Sequence, residues 1–300
     1  MKQRRWLLTC VFIASLVAFP SRARSESPPL ATTCDPVLQR GLETCLTSLR
    51  LDKAVEQKTL AVALVDITDP SDPRMAAVNP NEMMYAASLP KIAILLGAFE
   101  RIASGDMKLD AYVQTMLVRM IRRSSNQAAT EMLNLTGKEF IADTLQSERY
   151  RLYDPDQNGG LWVGKEYGKA RAWKRDPLRN LSHGATALQV ARFYYLLDTG
   201  RLVSPECSRQ MKSILADPAI EHKFVKGLKS VHPDCRIYRK SGTWRDFHAD
   251  SGIIEHEGHR YIAVALAHSP KGESWLRDLI VALDRIICSP QAPPSLLASH

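Results

Sequence analysis

The six cysteines of this 300-residue chain include no C-x-x-C pair, which excludes a zinc ribbon or a thioredoxin-type redox site. Lysine and arginine outnumber the acids by 40 to 32, yet they gather into no stripe interleaved with aromatics, so nucleic acid is a poor partner. No internal repeat and no low-complexity segment is present. The longest apolar run, WLLTCVFIASLVAF, is too short for a comfortable membrane span. What remains is ordinary globular material, 45% hydrophobic and 24% charged, of a length that suits one or two domains.

That apolar run follows MKQRR and precedes a small-x-small site at Ser21-Arg22-Ala23. The pattern reads as a secretory signal peptide over residues 1–23. Its removal places the mature chain, 24–300, in the periplasm or outside the cell and leaves no membrane span. The loss of Lys2, Arg4, Arg5 and Arg22 lowers the net charge from +8 to +4. Cys10 lies too early, inside the apolar run, to serve for lipid attachment. Five cysteines remain, and an oxidising compartment favours disulfides. Proximity in sequence suggests Cys34 with Cys45 and Cys207 with Cys235, leaving Cys288 unpaired.

Along the chain, Val37, Leu38, Leu42, Cys45, Leu46 and Leu49 repeat at helical spacing over 36–51. TLAVALVDIT (59–68) is a β-branched apolar run of strand length, closed by the turn DPSDP. A helix is expected over 88–104. MLVRMIRR, NQAATEMLNLTG and ATALQVARFYYLLDTG keep helical spacing on either side of an irregular stretch at 151–185. CSRQMKSILAD continues as helix. The period then changes to three strands, CRIYRKSGTW, DSGIIEHEG and HRYIAVALAHS, before a closing helix, SWLRDLIVALDRII. One antiparallel sheet assembled from both ends of the chain, about 34–80 and 215–290, is the economical arrangement. A helical lobe, about 85–210, is inserted between, with a site expected in the cleft.

Within YAASLPKIAILLGAFERIASGD (85–106), Ser88 and Lys91 stand three apart at a helix start, a spacing that lets their side chains meet. Pro90 suits the first turn, where its missing N–H costs nothing. A serine there sits in a field that favours a developing oxyanion. A lysine can take its proton only if burial or a second cation lowers its pKa. Taken alone the motif is weak, since Ser-x-x-Lys arises by chance and a serine at a helix start is usually a cap.

Two further motifs follow in order: Ser124-Ser125-Asn126 at the start of a helix, and Lys240-Ser241-Gly242-Thr243 on a strand entering a hairpin. The ordered set resembles the penicillin-recognising serine enzymes, and above all the class A β-lactamase family, over nearly the whole mature chain. The resemblance implies an α/β (α+β) fold of the β-lactamase/transpeptidase-like type: an antiparallel sheet flanked by terminal helices, plus an inserted all-helical lobe. It implies Ser88 as a nucleophile that opens a β-lactam and forms an acyl-enzyme, with Lys91 as its base or the group that orders it. Ser124 would pass a proton to the leaving nitrogen. Asn126 would hold Lys91 and the substrate amide, and Lys240 would draw in the substrate carboxylate. The N–H groups of Ser88 and Thr243 would form the oxyanion hole. Ser241 and Gly242 would lie along the substrate backbone. No cofactor and no metal is implied, and a monomer is expected. The substrate would be a small β-lactam or a peptidoglycan-derived peptide. A D,D-peptidase or other amide or ester hydrolase of the same fold is the first alternative, and a non-catalytic cell-wall-binding protein is the second.

The pattern departs from that family at the deacylation step. Asp176-Pro177 and Asn180 in KRDPLRN keep the acid-Pro-x-x-Asn spacing with Asp in place of Glu. Glu166 in VGKEYGK is the other candidate acid. Ser125 replaces the usual acid between Ser124 and Asn126, and Ser251 stands where an arginine commonly precedes the glycine of GII. Arg245 could meet the substrate carboxylate, although a solvated surface arginine is the plainer reading. HEGH (256–259) reads as a hairpin turn and lacks the helical spacing of a zinc protease. Trp173 and Trp244 read as core or cleft rim.

Overall fold

A computed structural model describes residues 29–288 of the chain. The expected signal peptide, with Cys10, lies outside them. Among the described residues no helix is long and apolar enough to cross a membrane.

Helix α1 (Pro36–Ser48) starts where Asp35 accepts from the amides of Val37 and Leu38, with Pro36 at its first position. A short α2 (Asp52–Glu56) leads into β1 (Leu60–Asp66), and β2 (Arg74–Val78) returns antiparallel to it. Strand β3 (Met84–Tyr85) precedes α3 (Lys91–Ser104), which Gly105 ends in the left-handed conformation, φ 84°. Helices α4 (Ala111–Arg122), α5 (Asn126–Thr136) and α6 (Lys138–Gln146) pack around α3. The irregular stretch carries four short strands, β4 (Tyr153–Asp154), β5 (Gly159–Gly160), β6 (Trp162–Val163) and β7 (His183–Ala185). Then come α7 (Ala187–Asp198), α8 (Pro205–Leu215) and α9 (Phe224–Val231). Strands β8 (Arg236–Trp244), β9 (Phe247–His256) and β10 (His259–His268) lead to α10 (Gly272–Cys288).

The main sheet has the order β2-β1-β10-β9-β8, with antiparallel neighbours throughout. The architecture is the expected one, an antiparallel sheet built from both chain ends with a helical lobe inserted between them. Both faces of this sheet are covered, which explains why β1 reads as a continuous apolar run. Ala61, Ala63 and Val65 face one core cluster with α3 and α7, while Leu60, Val62 and Leu64 face a second with α1, α9 and α10.

The structure adds what periodicity did not show. Strand β2, RMAAV, follows a turn-rich stretch and carries no alternation of its own, so its pairing with β1 is a tertiary effect. Helices α2, α6 and α9 are also added, and the five residues of α2 are too few for a helical period to stand out. The suggested disulfides are corrected: all five described cysteines are free thiols. Cys207 lies in the cluster on one face of the sheet, whereas Cys235 packs on the other. Cys45 is buried beside Leu42 and Leu46, and Cys34 is exposed. Adjacency in sequence said nothing about face.

Candidate active site

Residues 86–91 wind as a tight lead-in to α3. The amides of Leu89, Lys91 and Ile92 bond to the carbonyls of Ala86, Ser88 and Leu89, at 3.0, 3.3 and 3.2 Å. These are three-residue steps, so Ser88 stands one 3₁₀ turn ahead of the helix and Pro90 is its N-cap, a correction to the helix start expected at residue 88. Residues three apart eclipse one another in such a turn, so Ser88 and Lys91 keep a common face. Ala87, with φ 50°, adopts a left-handed conformation that a residue with a Cβ adopts at a cost.

Lys91 is fully buried and donates to the Ser124 carbonyl at 2.6 Å, the Ser124 hydroxyl at 3.3 Å and Asn126 Oδ1 at 2.9 Å. Burial brings its pKa down to about 7. Among the described residues no carboxylate pairs with it; on another side its Nζ lies 4.5 Å from the centre of the Tyr167 ring. Ser124 is itself held at φ 52°, one residue ahead of Ser125, whose hydroxyl caps α5. The second cation arrives from β8: Lys240 Nζ donates to Ser124 Oγ at 3.0 Å and to the Ser241 carbonyl at 2.7 Å. Burial first, and then the charge of Lys91, hold Lys240 well below an ordinary lysine. No hydrogen bond joins Ser88 Oγ to this network among the described residues.

Strand β8 is the edge of the sheet, so its outer side is open to an added strand. Gly242 shows how close it runs: a Cβ there would lie 2.1 Å from the Ala86 carbonyl and 2.8 Å from the Ser88 amide. The strand therefore meets the Ser88 turn backbone to backbone. Ser88, Asn126 and Thr243 line one cleft of about 660 Å³, walled by Tyr85, Tyr167 and Trp244. A wider and more open groove, about 760 Å³, lies at the opposite end of the sheet around His232 and His256. It holds none of the candidate residues; Ser88 lines the smaller cleft, and Lys91 lies behind its wall, against Asn126 and Tyr167.

Other candidates fall elsewhere. Asp176 is buried, and its carboxylate closes its own loop. It accepts from the amides of Leu178, Arg179 and Leu181 at 3.0, 3.0 and 2.6 Å, and from the Tyr153 hydroxyl at 3.2 Å. Neither Asp176 nor the exposed Asn180 lines the cleft, which corrects their expectation as the deacylation pair: the carboxylate is already consumed by local amides. Glu166 does line the cleft, but it is paired with Lys138 at 2.6 Å, and that hydrogen bond lowers its pKa. The Ser241 hydroxyl faces His222 Nε2 at 3.2 Å. Arg245 sits in the β8–β9 turn against the Trp244 ring, as a surface arginine. Trp244 is 55% exposed at the rim, whereas Trp173 packs on the core. Glu257 and Gly258 make the turn of the β9–β10 hairpin. Ser251 donates to the Lys240 carbonyl at 2.9 Å, supporting the strand that carries it.

Three residues went unnoticed in the sequence. Tyr167 follows Glu166 and fills the space beside Lys91, where an acid was sought. His183 lies against Tyr167, and burial holds its pKa down to about 4, so it is neutral near pH 7. Lys223, fully buried, donates to the Gly242 and Ala249 carbonyls and to Thr243 Oγ1 at 2.7, 3.1 and 2.7 Å. It thus braces the strand from behind. No periodicity marks any of them; each becomes visible only when distant segments meet.

The model of the Beta-lactamase enzyme family matches residues 47–119 and 110–289. Among curated proteins none matches. Among solved structures, a β-lactamase from Sphaerobacter thermophilus DSM 20745 is 16% identical with a TM-score of 0.64, over 85% of this chain and 99% of that one. A class A β-lactamase representative from Bacteroides cellulosilyticus DSM 14838 is 15% identical with a TM-score of 0.63, over 84% and 98%. A point mutant of PBP-A, in an acyl-enzyme complex with penicillin G, is 16% identical with a TM-score of 0.59, over 85% and 97%. At these identities the structures share the fold. The family match spans most of the chain, and the chain belongs to the β-lactamase enzyme family.

Proposed function

We propose that this member of the family is an exported serine hydrolase acylated at Ser88 by β-lactams. The observation that carries the reading is the convergence of Lys91 and Lys240 on the Ser124 hydroxyl at the rear of a cleft that Ser88 lines. Lys91, with a pKa near 7, takes the Ser88 proton as Oγ attacks the lactam carbonyl. The C–N bond of the tetrahedral intermediate then breaks, and Ser124 hands a proton to the leaving nitrogen while Lys91 returns to Ser124 the proton it took from Ser88. The amides of Ser88 and Thr243 stabilise the oxyanion. Lys240 attracts the substrate carboxylate, Asn126 receives its amide side chain, and the backbone of Ser241 and Gly242 aligns the substrate along β8. Export follows from the signal-peptide reading of residues 1–23, and the sheet and helical lobes form one catalytic unit over 24–300. The enzyme works as a monomer.

A second reading has its own support: Tyr167, rather than a carboxylate, lies beside Lys91, and Glu166 is held by Lys138. With no unpaired acid lining the cleft among the described residues, deacylation is slow. The natural substrate is then the D-alanyl end of a peptidoglycan stem peptide, with β-lactams as long-lived acylating agents.

Intact-mass spectrometry over time, with a penicillin and beside Ser88→Ala, tests both. An adduct that forms and clears as penicillin is consumed supports the β-lactamase reading. An adduct that persists supports the peptidase. No adduct on wild-type protein would overturn both.

A further inference from the structure

At the far end of the sheet, three elements bring nitrogen, oxygen and sulfur donors together. His232 follows α9, His256 ends β9, and Asp284 and Cys288 lie four apart on the last turns of α10. His232 Nε2 is 3.0 Å from Asp284 Oδ2, and His256 Nε2 is 2.6 Å from Asp284 Oδ1. Cys288 Sγ is 3.4 Å from His256 Nε2 and 3.9 Å from Asp284 Oδ1. One donor atom from each of His232, His256 and Asp284 falls within a 4.8 Å sphere of mutual distance. The two imidazoles stack, ring centres 4.2 Å apart, with both Nε2 atoms turned to one carboxylate.

We propose that His232, His256, Asp284 and Cys288 bind one divalent transition-metal ion of the zinc class. Around a tetrahedral ion with N, O and S ligands, neighbouring donor atoms stand about 3.3–3.6 Å apart. The observed separations, 2.6–3.9 Å, bracket that spacing, and small side-chain shifts suffice. Two neutral imidazoles, one carboxylate and one thiolate neutralise a divalent charge. Tyr261 donates to Asp284 Oδ1 at 2.7 Å, as an outer partner that orients the carboxylate. As the side chains stand, His256 Nε2 donates to Asp284 Oδ1; ligation by Nε2 would move that proton to Nδ1, which is buried and without a partner among the described residues.

The thiol separates this reading from a plain hydrogen-bond network. Asp284 is already satisfied by His232, His256 and Tyr261. Cys288 makes only a weak thiol hydrogen bond to Asp284 Oδ1, at 3.9 Å, and approaches a nitrogen already engaged, at 3.4 Å, so it adds little to such a network. As a fourth ligand its place is explained.

Four protein ligands make a closed, structural site. The nine residue steps of β9 from Phe247, at the active-site cleft, to His256 correspond to about 30 Å, so the ion takes no part in chemistry at Ser88. It would instead clip the end of α9, the β9–β10 hairpin and the C-terminal helix together.

Cobalt(II) titration of the phosphine-reduced protein tests this. Wild type should take up one equivalent, with visible d–d bands of a tetrahedral ion and a thiolate charge-transfer band in the near ultraviolet. Zinc should bleach both and raise the Tm. Cys288→Ser should lose the charge-transfer band, and His232→Ala should weaken binding at least about 10-fold. The His232 side chain is 29% exposed, and His232→Gln with circular dichroism guards against a folding defect. No cobalt spectrum in wild type, or an unchanged spectrum in Cys288→Ser or His232→Ala, would overturn the proposal.

Discussion

Lys91 and Lys240 share one acceptor, the hydroxyl oxygen of Ser124, with their Nζ atoms at 3.3 and 3.0 Å. Two ammonium groups cannot both stay charged so close together in a dry site without a compensating anion. Releasing one proton relieves both the repulsion and the burial cost. Burial lowers the pKa of both lysines, to about 7 for Lys91, and the charge of Lys91 lowers Lys240 further.

Acylation should therefore rise with pH through about 7, where Lys91 loses its proton, and then level off. Lys91→Met should slow acylation by about 10²-fold or more and flatten that limb. Stopped-flow or quenched-flow acylation by a chromogenic cephalosporin reads both. Stability shows the same group from another side. The folded pKa lies below the unfolded 10.5, so the cost of burying the charge is full below pH 7 and disappears as pH rises from about 7 to 10.5. Lys91→Met should thus stabilise most at pH 6 and least near pH 10 in thermal melts.

Tyr167→Phe should raise the Tm. The Tyr167 hydroxyl is buried and has no hydrogen-bond partner among the described residues, and an orphaned buried hydroxyl costs about 1–3 kcal/mol. The ring, which packs against Lys91 and His183, is kept. A few degrees of gain is expected, with adduct lifetime unchanged. A lower Tm or a longer-lived adduct would show the hydroxyl at work in the cleft.

Asp176→Asn should destabilise without touching the chemistry. Three backbone amides and one phenol converge on this carboxylate, and an amide nitrogen would face one of those N–H groups. A loss of about 2–3 kcal/mol is expected. Well below the Tm, the acylation rate and adduct lifetime should stay within about 3-fold of wild type, whereas loss of a general base costs about 10²–10⁴-fold. A lifetime lengthened to that extent would return Asp176 to the deacylation step.

Much of this was legible in the chain. Ser88, Lys91, Ser124, Asn126 and Lys240 sit in short motifs on recognisable elements, and the sheet built from both termini follows from where the period changes. The rest was hidden for physical reasons. Asp176 kept a familiar spacing, but spacing does not show that Leu178, Arg179 and Leu181 would turn their amides onto it. Tyr167 lies in an irregular stretch, where no period tells which way a side chain points. Lys223 acts across the sheet edge on Gly242 and Thr243, a contact between segments about twenty residues apart with no pattern linking them.

Gly242 offers the sharpest test of how the strand and the nucleophile are joined. A methyl group there would meet the Ala86 carbonyl at 2.1 Å and the Ser88 and Leu89 amides at 2.8 and 2.9 Å. All three are backbone atoms, so no rotamer change relieves the clash; either the turn or the edge strand must move. Overpacking of this kind costs about 1–3 kcal/mol, and a shift of about 1 Å in a reacting group costs about 10²-fold in rate. Gly242→Ala should therefore slow acylation by about that factor even where the protein remains folded. Ser241→Ala removes a hydroxyl that bonds to His222 Nε2 and should leave the rate within a few-fold. Measured side by side, a slow Gly242→Ala and a near-normal Ser241→Ala tie the rate to the distance between β8 and the Ser88 turn. Wild-type acylation by Gly242→Ala would mean that the strand can withdraw without disturbing Ser88, and that the oxyanion site does not depend on their contact.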